Sequence, residues 1–86
     1  MKVAFTAQAK ADLLHWLEAE PTVKDKIDKL ICNALQDPRT GIGKPEALKH
    51  HKPLWSRRIT KEHRLVYYVQ DDTLMVVSCR FHYINL

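Results

Sequence analysis

"RLVYYVQDDTLMVVSCRF", residues 64–81, consists of two runs of β-branched and aromatic residues separated by Gln70-Asp71-Asp72-Thr73. Val, Tyr, Phe and Thr fit a pleated, half-buried surface, and aspartates tolerate the positive φ that a tight hairpin turn demands. The stretch therefore predicts a hairpin of strands 64–69 and 74–81. A third run of strand-forming residues, 54–59, lies just before it and extends the same sheet.

Upstream the period changes. "KVAF", residues 2–5, reads as a short strand, and Thr6 is a suitable N-cap for a helix running to about Glu18, with Ala9, Leu13, Trp16 and Leu17 on one stripe. After the break at Glu20-Pro21, Thr22 and Asp25 resemble a capping box. Val23, Ile27, Leu30, Ile31, Ala34 and Leu35 then recur at spacings of three and four up to Asp37-Pro38. Two helices joined by a tight turn form an antiparallel hairpin whose apolar stripe needs a sheet to cover. Residues 38–53 hold both glycines and three of the four prolines, and read as a long loop. The prediction is an α+β domain spanning residues 1–86: an N-terminal strand, a two-helix antiparallel hairpin, then a three-stranded antiparallel sheet with the helices on one face.

A chain of 86 residues buries only about 60–65% of the surface its unfolded form exposes, so the core must be thin. With 45% hydrophobic and 28% charged residues the composition is that of an ordinary globular protein. The apolar runs are too short to span a bilayer and the N-terminus lacks the apolar block of a signal peptide, which points to the cytoplasm and to no membrane partner. Cys32 and Cys79 stand alone, without a C-x-x-C pair, and read as reduced thiols. Charge is divided unevenly: residues 1–37 carry five basic and six acidic side chains, residues 38–86 nine and four. A basic second half suits a polyanionic partner, nucleic acid first.

Within the long loop Glu46 is the only acid, surrounded by Lys44, Lys49, His50, His51 and Lys52. Positive charge nearby favours the ionised carboxylate, which then serves either as a general base or as an ion-pair partner. His82, beyond the last apolar run, is able to move protons near neutral pH, or to be satisfied by backbone. Arg64 begins a strand and is held by a packed backbone; its fork suits phosphate, or an ion pair to Glu62 or Asp12. A base, an acid and a fixed cation are the minimum set for cleaving RNA without a metal. Trp55, Tyr67, Tyr68, Phe81 and Tyr83 offer stacking surface for bases, although a thin sheet needs most such residues as core. No zinc-ligand spacing, P-loop, dinucleotide fingerprint or serine nucleophile elbow occurs, so no cofactor is predicted.

The stretch "GKPEALKHHKPLWSRRITKEHRLVYYV", with the later "SCRFHY", resembles the YoeB/Txe toxins of the RelE/ParE superfamily, ribosome-dependent mRNA endonucleases from toxin–antitoxin pairs. From Gly43 to Tyr83 the segments "GKPE", "LKH", "WSRRIT", "EHRLVY" and "HY" fall in the family's order and nearly its spacing. The resemblance implies a RelE-like, microbial RNase-like fold with a catalytic groove in the sheet. It implies Glu46 as general base, Arg64 as phosphate-stabilising cation and His82 as general acid, with Tyr83 beside it and Lys44, Lys49, His50, Arg57 and Arg58 lining the groove. The implied partners are a cognate antitoxin with an acidic, initially disordered segment, the ribosomal A site with its mRNA and ribosomal RNA, operator DNA through the antitoxin, and a second copy in a homodimer. The competing reading is a non-catalytic toxin of the same fold, a topoisomerase inhibitor or operator co-repressor, which has no need of the three-residue set. Two departures stand out: "INL" follows the His-Tyr pair, and "HHKPLW" is about one residue shorter than its counterpart.

The hairpin carries a geometric problem. If Asp71 and Asp72 form a two-residue turn, paired positions sum to 143, Arg64 falls opposite Cys79, and His82 points to the other face. Acid and cation then do not converge. A three-residue turn, a bulge, or an early end to pairing resolves this. The absence of glycine in "RLVYYV" and "TLMVVSC" favours the last, with pairing lost by Phe81.

Overall fold

The structure is a computed structural model that describes residues 1–82. The chain runs β1 (Lys2–Phe5), α1 (Ala7–Ala19), α2 (Pro21–Gln36), β2 (Glu46–Ala47), β3 (Trp55–Arg58), β4 (Arg64–Gln70) and β5 (Thr73–Ser78). These strands make one sheet in the order β1-β5-β4-β3-β2. The α+β class is as predicted, with two additions. β1 joins the sheet parallel to β5, the helix pair serving as crossover, and the predicted loop contributes the two-residue strand β2 at the opposite edge.

Local chemistry explains the helix boundaries. Thr6 caps α1, its Oγ1 accepting the Ala9 N–H at 3.1 Å. The predicted capping box at Thr22 does not form, because α2 starts two residues earlier, with Pro21 in its first turn and Glu20 as an N-cap without a side-chain bond. Proline suits that position: its fixed φ is helical and its missing N–H would have had no helical partner. The α2 stripe is buried through Ile27, Leu30, Ile31 and Ala34, with Val23 and Leu35 packed at its margins. In α1 the buried residues are Ala9, Asp12 and Trp16, whereas Leu17 is 54% exposed, off the predicted stripe.

Both helices lie on the sheet face formed by Ile59, Leu65, Tyr67, Leu74, Val76 and Cys79. At ~1.5–3 kcal/mol for each fully buried aliphatic or aromatic side chain, this single layer is the main source of stability. Asp12 is buried in it, its carboxylate accepting the Gln8 Nε2–H at 2.8 Å and the Cys79 N–H at 3.0 Å. No helix among the described residues is long and apolar enough to cross a membrane.

Burial, with Asp12 close by, pushes the Cys79 thiol up to about 12. The folded state thus keeps a proton that the unfolded chain releases near pH 9. Stability is unaffected by this group below that pH and falls above it, by up to ~1.4 kcal/mol per pH unit. Urea unfolding at pH 8 and pH 10.5 is expected to show this loss in the wild-type protein and a smaller one in Cys79→Val. A thiol reagent should modify exposed Cys32 at once, and Cys79 only after denaturation.

Candidate active site

The sheet face turned away from the helices carries the charged residues. Strand alternation puts Ser56 and Arg58 of β3 on this face, where register pairs Ser56 with Glu46 of β2 and Arg58 with Arg64 of β4. Lys44, held at φ 50°, leads into β2. Lys44, Glu46, Ser56, Arg58, Arg64 and His82 line one cavity of about 150 Å³. Behind it, Gly43 at φ 78° accepts the Arg58 N–H at 2.7 Å, and a Cβ there would lie 2.7 Å from Leu30 Cδ2. The chain approaches so closely only because residue 43 is glycine.

His82 reaches this face through a bulge, contrary to the expectation from glycine content. Asp71 and Asp72, at φ 51° and 57°, make the two-residue turn, and the pairs from Gln70–Thr73 to Tyr67–Val76 keep the 143 sum. Register then slips by one, so Val66 faces Ser78, and every residue beyond Val77 changes face. No glycine is needed, because the displaced backbone is held from α1 and its cap. The Thr6 N–H donates to Val76 O at 3.0 Å and Thr6 Oγ1 to Val77 O at 2.6 Å. Cys79 gives its N–H to Asp12 and accepts the Trp16 Nε1–H at 2.8 Å. Regular pairing does end early as well, at Ser78, and Phe81 adopts φ 65°, which is rare for a bulky residue.

Arg64 is fixed by carbonyls rather than by the ion pairs considered above. Its Nη1 donates to Thr60 O at 2.8 Å, His63 O at 3.0 Å and Lys61 O at 3.2 Å. Neither Glu46 nor Arg64 takes part in an ion pair with another described residue. The cavity therefore holds one carboxyl group, three basic side chains and an imidazole, a set able to remove a proton, stabilise a growing negative charge and return a proton.

The other predicted site residues separate. Lys49 and His50 are exposed in the connection between β2 and β3 and do not line the cavity. Arg57 does not line it either: as the neighbour of Arg58 in a strand it points to the helix face, where it is wholly buried. Tyr83 lies outside the described residues. Ser56 was missed, although its position two residues before Arg58 in β3 was the signal. A larger cavity of about 600 Å³, between α2 and the segment around Gly43, shares Lys44 and Arg58 but contains none of the acid–base residues.

Residues 5–83 match the family model described as YoeB-like toxin of bacterial type II toxin–antitoxin system. Toxin YoeB of Escherichia coli K12 is 46% identical over 84 residues, 96% of this chain and all of that protein. Among solved structures, the YoeB/ParE toxin from Agrobacterium tumefaciens superposes with a TM-score of 0.93 at 44% identity, covering 96% of this chain and all of that one. A heterotetrameric YoeB-YefM toxin–antitoxin complex from Staphylococcus aureus matches with a TM-score of 0.87 at 36% identity, over 96% of this chain and 98% of that one.

Proposed function

Since the chain belongs to the YoeB-like toxins of bacterial type II toxin–antitoxin systems, we propose that it is a ribosome-dependent mRNA endoribonuclease that arrests translation in the cytoplasm. The observation that carries this reading is the convergence of Glu46, Arg64 and His82, with Lys44 and Arg58, on one small polar cavity. Glu46 takes the proton of a ribose 2′-hydroxyl, and the freed oxygen attacks the adjacent phosphorus. Arg64, aided by Arg58 and Lys44, stabilises the charge that builds on the phosphoryl oxygens. The bond to the 5′-oxygen breaks, and His82 protonates that oxygen. Water is not consumed and no metal ion is required.

A cavity of about 150 Å³ is small against the ~300–1,000 Å³ of ordinary ligand pockets. The chain supplies reacting groups without a deep substrate site, and the ribosomal A site presents the mRNA to it. The basic second half binds the nucleic-acid backbone. It is also the surface that an acidic antitoxin segment neutralises by folding over it, as suits a chain akin to the Staphylococcus aureus toxin solved with YefM.

Primer extension on a translating mRNA, with and without the protein, tests the activity, and the ends of the fragments test the mechanism. The expected products carry a 2′,3′-cyclic phosphate and a 5′-hydroxyl. A 5′-phosphate would require attack by water and would exclude the pathway through the 2′-oxygen.

A further inference from the structure

His63 lies in the turn between β3 and β4, outside the cavity, yet it is bonded to the segment that carries His82. Its Nδ1 accepts the Phe81 N–H at 2.8 Å. The next residue, Arg64, donates its own N–H to the Phe81 carbonyl at 3.0 Å. Two consecutive residues thus grip both backbone polar groups of the residue that precedes the imidazole. The His63 ring is itself fixed: it meets Trp16 edge-on, with centroids 4.8 Å apart, and its own carbonyl accepts the Ile59 N–H at 3.0 Å and the Arg64 guanidinium. Arg80 adds a contact to the same residue, its guanidinium 4.5 Å from the Phe81 ring centroid.

These bonds explain an otherwise unfavourable backbone. A phenylalanine at φ 65° persists only where its surroundings over-determine it. The chain has left the regular ladder at Ser78, so the sheet holds Phe81 only through the bond from Arg64 at the start of β4, and its N–H depends on His63. An N–H pointing at Nδ1 also requires a lone pair there, so the bonded ring carries no proton on Nδ1. We propose that His63 is a positioning residue whose Nδ1 fixes Phe81 in the left-handed conformation that delivers His82 into the cavity beside Glu46 and Arg64. The role of His82 rests on the catalytic reading above; the backbone clamp does not.

Three proteins and two measurements test this: wild type, His63→Phe and His63→Asn, compared by amide exchange of Phe81 and by single-turnover cleavage of ribosome-bound mRNA. Phenylalanine keeps a ring against Trp16 and removes the acceptor. Asparagine gives up the ring and restores an acceptor oxygen near the place of Nδ1. In His63→Phe the Phe81 amide is expected to exchange at least ~10-fold faster and cleavage to fall ~10- to 100-fold, the scale set by small misplacements of a reacting group. His63→Asn should recover both to within about fivefold of wild type. A His63→Phe rate equal to wild type, or a His63→Asn protein as slow as His63→Phe, overturns the proposal, because ring packing or nothing at all is then what matters. If the wild-type protein cleaves no mRNA, the catalytic reading fails. The clamp is then decided by exchange alone: equal Phe81 protection in wild type and His63→Phe refutes it, and loss restored by asparagine supports it. Should His63→Phe not fold, His63→Gln replaces it. Its amide oxygen sits one methylene farther out and misses the Phe81 N–H, and the same comparison with His63→Asn applies.

Discussion

Replacing His82, Glu46 or Arg64 singly by alanine is expected to slow single-turnover cleavage of ribosome-bound mRNA by at least ~10²-fold, the usual loss for a general acid, a general base or a charge-stabilising donor. The three should fail for different reasons. On the proposed mechanism His82→Ala removes the proton for the departing 5′-oxygen, so the deficit should shrink when that oxygen is replaced by sulfur, a leaving group that needs no proton. Glu46→Gln should be nearly as slow as Glu46→Ala, since an amide occupies the same space without accepting a proton. Arg64→Lys should not rescue, because a single ammonium lacks both the planar fork that the proposed phosphate contact needs and the reach to the carbonyls of Thr60, Lys61 and His63. Double replacements should cost far less than the product of the single losses, as groups acting in one step do. Lys49→Ala and His50→Ala, whose side chains lie away from the cavity, should each cost less than about tenfold, mainly through weaker and more salt-sensitive binding. Wild-type cleavage by His82→Ala would remove histidine from the mechanism, and retention of its deficit on the sulfur substrate would remove the acid role specifically.

Much of this arrangement is legible in the residue order, because the strongest signals are periodic. The stripe of Ile27, Leu30, Ile31 and Ala34 specifies α2 without help from the rest of the chain, and the Asp-Asp turn specifies the start of the hairpin register. Strand β2 is not legible: two residues have no period, and they form a strand only because β3 offers them an edge. The bulge at Val77 is hidden for another reason. Its determinants are Thr6, Asp12 and Trp16, more than sixty positions away in sequence, so a local search for glycine misses it. The fate of Arg57 could have been read. Adjacent residues in a strand face opposite ways, so only one of Arg57 and Arg58 is able to line a groove.

Arg57→Ala should be among the most destabilising substitutions in the protein. The side chain is 0% exposed, and its donors are directed at five acceptors. Nε bonds Tyr67 Oη at 2.9 Å, Nη1 bonds Asn33 Oδ1 at 2.6 Å and Ile42 O at 3.0 Å, and Nη2 bonds Asp37 O at 2.8 Å and Thr40 O at 2.9 Å. None of these is a carboxylate, so the buried charge is solvated by oriented carbonyls and oxygens in place of water. Tyr67 completes the network by donating to Pro38 O at 2.6 Å. Burial raises the pKa of its hydroxyl, more than the nearby arginine lowers it, and so keeps that proton in place. Truncation at Arg57 strands three carbonyls of residues 37–42 and leaves a void beneath them. By the scale of broken buried charge networks the loss should be about 3–5 kcal/mol. At roughly 4–8 °C per kcal/mol for a domain of this size, the melting temperature should fall by at least ~12 °C. Arg57→Lys should recover little of this, having three donors on one nitrogen where five are needed in a plane. The exposed neighbour is the control: Arg58→Ala should change stability by less than ~0.5 kcal/mol while weakening cleavage. Urea titrations with unchanged m-values measure both effects, and an Arg57→Ala midpoint close to wild type would show that water replaces the guanidinium. The residues stapled by Arg57 lead directly into Gly43, Lys44 and Glu46, so a buried arginine outside the cavity sets where the carboxylate of the proposed base sits.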